Sequence, residues 1–461
     1  MNRLFLLIIT AILLVISSCT KDKFITDKNA FIVTSDTALH FDTVFSAVGS
    51  VTKQLKIFNI NDQKLRISNL ELMGGNASFF KMNVSGSAGT QFNGIDLAAG
   101  DSLYVFVTVN APASNQQLPF VIQDSIQITF NGNTQYVQLD AYGQNVHFLR
   151  SVTITHDTTW TNDLPYILLD SFSVAAGATL TVEKGVHIFC HANTPFYIDG
   201  SLQINGDNDV ADRVVFASDR LDAPYKDQPG TWEGLYFGPG SSGNVLNYTI
   251  INNAKQGIAA DNLSRVSLNQ CIIDNCPAAG IIAYNSTLKA VNCLISNCGS
   301  NVYIEGGGNY AFAQCTIASY GTQYFYHQYP VLSLSNAGSD GNDINPLKAV
   351  FRNCIIYGES NNTVADEVAL DHQGNSVFDV VFENTLYSSP SENPSATYTN
   401  CLTMNDPLFK TIDAEKDNFD FHLQPSSPCI NAGAPSLGIN MDLDGTPRDA
   451  QPDMGCYEAK P

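Results

Sequence analysis

Heptapeptides recurring at a fixed step set the frame for this chain. NYTIINN begins at Asn247, NQCIIDN at Asn269, VNCLISN at Val291 and AQCTIAS at Ala313, a step of 22 residues each time. Weaker echoes begin at Arg352 (RNCIIYG), Glu383 (ENTLYSS) and Thr399 (TNCLTMN). A fixed period just above 20 residues, built from short strand-like runs, points to a solenoid in which each unit buries its apolar face against the next. The chain upstream has the same grammar. Residues 159–207 are very short apolar runs punctuated by Gly177, Gly185, Gly200 and Gly206, with no segment amphipathic enough for a convincing helix.

The repeat also carries two C-x4-C pairs, Cys271/Cys276 and Cys293/Cys298. Zinc, disulfides and unreactive thiols are the alternatives. If each unit is one coil, Thr249, Cys271, Cys293 and Cys315 stack at equivalent positions ~4.8 Å apart. Side chains on one sheet point the same way, whereas tetrahedral zinc needs converging ligands and a disulfide needs facing Cβ atoms. The preferred reading is a column of reduced, buried thiols, with disulfides and metal as the minor alternatives. Asn253, Asn275 and Asn297 form a second column. Asparagine tolerates the left-handed turn conformation, and stacked amides can bond to one another at the corners.

A coil of this length with three short parallel strands resembles the right-handed parallel β-helix, over residues 150–410. The opening motifs GATLTVEKGVHIF, IDGSLQING, RVVFASDR and WEGLYFGPGSSGNVLNYTIINNAKQGI carry that resemblance. It implies an elongated fold and little about activity, because such solenoids host lyases, hydrolases, adhesins and passive scaffolds alike.

The N-terminus reads as an export signal. Arg3 precedes an apolar or small run over residues 4–16, too short for the ~20 residues that span a bilayer. It ends in Ile16-Ser17-Ser18-Cys19, which resembles the lipobox of bacterial lipoproteins. The resemblance implies cleavage before Cys19, a lipid on its thiol and, with Thr20 following, the outer membrane; an ordinary secretory signal is the alternative. Removing residues 1–18 takes Arg3 and no acid, leaving 44 acidic against 22 basic side chains, net −22. Such a surface repels phosphate backbones, so nucleic acid is not an expected partner.

The expected organisation is a signal peptide at 1–18, a polar tether at 19–30, a β-sandwich at 31–147, the β-helix at 148–405 and a closing segment at 406–461. In the sandwich, LYVFVTVN alternates Leu103, Val105, Val107 and Val109 against Tyr104, Phe106 and Thr108, and Asn131-Gly132 suits a tight hairpin turn. This resembles the Ig-like modules that precede β-helices in Bacteroidota lipoproteins; the module has no cysteine, so it cannot hold the inter-sheet disulfide of antibody-type domains. The last segment, with DPLFKTIDAEKDNFDFHLQPSSPCINAGAP and DLDGTPRDAQPDMGCYE, resembles the choice-of-anchor type endings of β-helix lipoproteins. That resemblance implies a network of Asp442, Asp444, Arg448, Asp453 and Glu458 closing the end of the last coil.

Site candidates lie outside the exact repeat. YGTQYFYHQYP gathers Tyr320, Tyr324, Tyr326, His327 and Tyr329, whose flat faces and polar tips suit a sugar ring or a protein partner; packing against its own turn is the alternative. Weaker catalytic candidates are Asp340 and Asp343 in GSDGNDIN, and Asp366, Glu367, Asp371 and His372 in ADEVALDHQ. Solvated acids on extended turns are the plainer reading of these. Asn440, Asp442 and Asp444 begin like a calcium loop, but Gln451 stands where the bidentate glutamate belongs, so a plain closing turn is preferred to calcium and no cofactor is expected. Cys429 and Cys456 could pair, though free thiols are preferred. The expected function is a lipid-anchored surface module binding or scaffolding a glycan or a protein, with a β-helix lyase or glycoside hydrolase as the alternative.

Overall fold

In the computed structural model the described residues are 23–459, apart from 47–48, 114–118, 224, 342, 360–363 and 436–437. Cys19 lies outside them. The chain divides into two compact units after Asn145.

The first unit is a β-sandwich. One sheet orders β1 (Ile32–Thr34), β3 (Lys53–Asn59), β8 (Ser102–Val109), β5 (Phe80–Val84) and β6 (Ser87–Ala88); the other orders β2 (Ala38–Phe45), β10 (Asn133–Gln144), β9 (Phe120–Phe130), β4 (Leu65–Leu72) and β7 (Gln91–Leu97). Alternation decides which side faces inward. Leu103, Val105, Val107 and Val109 are buried between the sheets, while Tyr104 and Phe106 face out. The β9–β10 hairpin turns on Asn131 (φ 46°) and Gly132 (φ 78°), both left-handed as a two-residue turn of this hand requires.

The second unit is a parallel β-helix, a single 26-stranded sheet among the described residues. Each coil contributes to three flanks. The first includes Asn244–Asn247, Arg265–Asn269, Leu347–Arg352 and Phe378–Glu383; the second Thr249–Asn252, Ile272–Asp274, Leu294–Ser296, Thr316–Ser319 and Ile355–Gly358; the third Gly234–Phe237, Gln256–Ala260, Leu332–Ser335 and Val368–Asp371. Ala279–Val291 and Ser300–Ala313 run through the corner from third flank to first. One continuous apolar core fills the inside, from Trp160 to Tyr387.

The repeat motif explains the corner between the first and second flanks. Tyr248, Gln270, Asn292, Gln314, Asn353, Asn384 and Asn400 all have left-handed φ, between 45° and 54°. The next residue turns inward and donates to the carbonyl two residues back: Cys293 Sγ to Val291 O (3.3 Å), Cys315 Sγ to Ala313 O (3.4 Å), Cys354 Sγ to Arg352 O (3.3 Å). Thr249 and Thr385 do the same with a hydroxyl, at 3.2 and 3.0 Å to Asn247 O and Glu383 O. A small buried donor is therefore what the position needs. Cys271, Cys293, Cys315 and Cys354 are free, buried thiols stacked in strand register. At the next corner Asn253, Asn275 and Asn297 are also left-handed, and Asn275 Nδ2 reaches Asn253 Oδ1 at 2.7 Å.

The last segment departs from expectation in its location. It lies along the second flank instead of over the end of the last coil. Phe409, Phe421, Leu423, Cys429, Leu443, Met454 and Cys456 pack on Leu294, Ala318, Ile355 and Leu386. The physical reason is the left-handed corner column, whose side chains project out of the sheet as a ladder of donors. Asn292 Nδ2 binds Met441 O (2.5 Å), Gln314 Nε2 Asp453 O (3.2 Å), Asn353 Nδ2 Ala434 O (3.0 Å) and Asn384 Nδ2 Ala432 O (3.2 Å). Cys429 and Cys456 are both buried free thiols in this layer.

Candidate functional site

A groove of about 520 Å³ opens on the third flank. Strand alternation supplies its floor, because Val302, Ile304, Leu332, Leu334 and Val368 turn into the core and their neighbours turn out. Register then sets those neighbours in two columns. Tyr303, Ser333 and Ala369 form one; Ser335 and Asp371 form the other, with Glu305 following the Ile304–Leu334 pair on the neighbouring strand. The wall is residues 336–341 and 343–346, chain added where the 22-residue step lengthens. Asn336 fixes its base by exchanging bonds with Gln373: Nδ2 to Gln373 O (2.9 Å) and Gln373 N to Oδ1 (2.7 Å). Tyr284 OH donates to Asp343 Oδ2 at 2.7 Å, which pins the wall to the flank and pushes the phenol up to about 12.

Hydrogen-bond acceptors dominate the polar lining. Asp371 takes Ser335 Oγ at 3.1 Å and Gln373 Nε2 at 2.6 Å; Glu305 takes the Tyr303 hydroxyl at 3.3 Å. No Lys, Arg or His lines the groove among the described residues. Further along the same flank Tyr197 and Tyr236 meet edge to face, centroids 5.4 Å apart, in register with Ala259, Ile282 and Tyr303. Tyr197 and Tyr303 are 43% and 36% exposed, so the flank presents aromatic surface at both places.

The expected site residues distribute unevenly around this groove. Asp371 lines it, and Asp343 holds its wall; Asp340 sits on the same wall loop. Asp366 and His372 do not converge with them. Asp366 Oδ1 accepts from Val368 N at 3.0 Å, and the His372 ring stacks on Phe378 at 4.8 Å with Nε2 3.2 Å from Ser376 O. Glu367 is buried and holds His327 Nε2 at 2.9 and 3.0 Å and Val331 N at 3.2 Å.

The aromatic stretch 320–330 does not offer one face. Tyr320 is turned into the closing layer against Tyr357, Phe409 and Phe421, and burial drives its hydroxyl far above the usual range. His327 is buried on Glu367 and anchors the loop, so it is not a surface contact. Tyr324, Tyr326 and Tyr329 remain exposed, Tyr326 at 87%. At the C-terminal turn, all of the Asp442 carboxylate is engaged by the backbone: Oδ1 accepts Asp444 N (2.9 Å) and Thr446 N (2.7 Å), and Oδ2 accepts Glu458 N (2.9 Å). Asp444 Oδ2 meets His422 Nε2 at 3.0 Å, which with Asp420 raises the imidazole above its ordinary value. The Asn440 carbonyl belongs to the same turn, accepting Arg448 N at 2.9 Å. The first half of a calcium loop is thus built as a backbone-capped turn.

Sequence reasoning missed Tyr303, Glu305, Ser333 and Ser335. A Y-x-E on one strand and S-x-S on another were the available signals, and only the register unites them.

Residues 207–317 match the family described as the right handed beta helix region, the stretch that holds the exact repeats. The match makes the solenoid a right-handed one, the hand that parallel crossovers favour. No curated protein matches the chain. Similar solved structures include a family 123 glycoside hydrolase from Clostridium perfringens (8% identity, TM-score 0.19, covering 26% of this chain and 30% of that one). Others are the YadV chaperone (12%, TM-score 0.17, 25% and 51%) and the Vibrio cholerae VesB protease (13%, TM-score 0.17, 24% and 31%). The chain spans a third to a half of these proteins, and the likeness is too slight to bear on function.

Proposed function

We propose that this protein is a lipid-anchored outer-membrane module that binds a neutral glycan in the groove on the third flank, without cleaving it. The observation that carries the reading is the groove itself: a concave surface with an exposed tyrosine beside a row of hydroxyl, amide and carboxylate groups. A ring face stacks on the C–H face of a sugar while the row accepts its hydroxyl protons. Glu305 and Asp371, with no cation among the lining residues, disfavour uronate or sulfate polymers.

A hydrolase reading has one feature in its favour. Glu305 and Asp371 stand two strands apart, roughly 10 Å at the strand spacing, close to the separation of an inverting pair. Against it, Asp371 is exposed and Glu305 is only half-buried, so neither is enclosed from water as a hydrolase pair around a bound sugar would be.

Titration of the purified protein with soluble glucans, mannans and xylans tests the reading. Tyr303→Ala is expected to weaken the bound glycan about thirtyfold, the equivalent of about 2 kcal/mol at a stacking anchor. Tyr326→Ala is expected to leave binding unchanged. The reverse pattern would move the site to the 320–330 loop, and no binding by any neutral polysaccharide would remove the proposal. For the anchor, Cys19→Ala is expected to yield an uncleaved or soluble precursor in place of the membrane-bound form. Mass spectrometry of the wild type finding an unacylated N-terminus elsewhere would contradict it.

A further inference from the structure

A second cleft, of about 280 Å³, opens at the asparagine corner beyond the second flank, where Asn252, Asp274 and Asn275 meet Asp227, Gln323 and Asp417 from distant segments. Asn275 is 9% exposed. Its Nδ2 donates to Asp227 O (3.0 Å) and to Asn253 Oδ1 (2.7 Å). Two acceptors fix the amide's orientation, since flipping it would set oxygen against oxygen. The remaining atom, Asn275 Oδ1, is buried and has no hydrogen-bond partner. Asn252 Oδ1 is in the same condition, one strand away in the register that pairs Asn252 with Asp274. Leaving such an acceptor unmet costs about 1–3 kcal/mol.

The carboxylates around these amides repel one another. Asp274 Oδ1 accepts Ser296 Oγ at 2.5 Å, and Asp417 accepts Gln323 N at 3.0 Å and Gln323 Nε2 at 2.6 Å. Burial pushes Asp274 up to about 6, and the neighbouring charge of Asp417 adds to that. The one cation lining the cleft, Lys416, has its Nζ on Asp413 at 2.7 Å. What the cleft lacks is positive charge. Among the described residues no three His, Cys, Asp and Glu side chains converge, so this is no thiolate or imidazole cage. The ligands it offers are oxygens, the Asp274 and Asp417 carboxylates and the Asn252 and Asn275 amides among them, while the Asp227 carboxylate at its edge lies 3.3 Å from Lys226 Nζ.

We propose that this cleft binds a divalent cation of the calcium class, held by Asp274 and Asp417 with the side-chain oxygens of Asn252 and Asn275, water completing its shell. Calcium takes six to eight oxygen ligands and accepts carboxylates, amide carbonyls and water in an irregular arrangement, whereas magnesium demands a tight octahedron. The cation would meet both orphaned amide oxygens and relieve the repulsion between Asp274 and Asp417. It would also join the asparagine corner to residues 416–419, and so lock the closing layer to the coils.

The test is calorimetric titration of the chelator-treated full-length protein with calcium and with magnesium near neutral pH, together with thermal melts. One calcium site is expected, calcium preferred, with a melting temperature that rises with calcium concentration. Asp274→Asn and Asp417→Asn should each weaken calcium by about tenfold or more with unchanged circular dichroism. Asp444→Asn, in the C-terminal turn, should not. Absence of binding at millimolar calcium, or wild-type affinity in both aspartate variants, would overturn the proposal.

Discussion

Phe351→Ala is expected to remove about 3–5 kcal/mol of stability, the range for emptying a fully buried aromatic site. Phe351 has no exposed surface and stands mid-column: its ring stacks on Phe312 at 5.0 Å and on Phe382 at 5.1 Å, with planes 7° and 13° apart, and Phe382 continues to Tyr398 at 5.1 Å. The four side chains occupy equivalent positions in successive coils of the first flank. Coils contact only their neighbours, so the cavity should uncouple the last coils from those before them. Amide exchange should therefore accelerate mainly in residues 347–405, with a smaller effect in the strands before residue 291. Phe351→Leu, which refills most of the volume, should cost far less. Uniform acceleration over the whole solenoid, or none, would contradict the stacked-coil account.

Arg448→Met is expected to cost about 3–5 kcal/mol as well, for an electrostatic reason. The guanidinium is almost wholly buried, with Nη1 3.0 Å from Glu458 Oε2 and Nη2 2.9 Å from both Asn292 Oδ1 and Gly455 O. Glu458 is buried with it and also accepts Asp449 N and Asp453 N, at 3.2 and 3.0 Å. Burial already raises the Glu458 carboxyl; the backbone N–H groups of Asp453 and Asp449 oppose that rise, and the Arg448 charge adds to them. Without the arginine the folded pKa climbs further above the unfolded value, so the charged form destabilises the fold at neutral pH. Acidification should relieve this as pH falls through the folded pKa. Melting temperature against pH is the readout: the deficit of Arg448→Met should shrink in acid, and Arg448→Met/Glu458→Gln should recover part of it at neutral pH. A pH-independent deficit would mean that lost packing, not the stranded carboxylate, is the cause.

The solenoid was legible because its period is strict where it matters. The residue before each corner Thr or Cys is Tyr, Gln or Asn in a left-handed turn, and the 22-residue step displays it in the primary sequence. The buried thiols followed from the same geometry. What those corner side chains bind was not legible, since Asn292 meets Met441 across 149 residues and Gln314 meets Asp453 across 139. The groove was hidden for a related reason: the stretch 320–330 lengthens one step and the chain after Ser335 the next, so Glu305, Ser335 and Asp371 fall at no fixed spacing and only strand pairing aligns them. Asp274 is the one acid of its column in the repeat, where Asn252, Ser296 and Ala318 stand at the other levels. Asp417 joins it from the closing segment, beyond any periodic argument. Tyr320 and His327 were grouped with Tyr324, Tyr326 and Tyr329 by adjacency, yet the loop turns the first two inward and the others out.

The central claim, binding without cleavage at the third flank, is tested most directly by incubating the protein with neutral and acidic polysaccharides. Retention on immobilised glycan is followed alongside new reducing ends and the ultraviolet absorbance of unsaturated products. The account predicts retention of a neutral glycan that is lost in Tyr303→Ala, with no product formed. Product that appears with the wild type and disappears in Glu305→Gln/Asp371→Asn would contradict it and make the groove an active site.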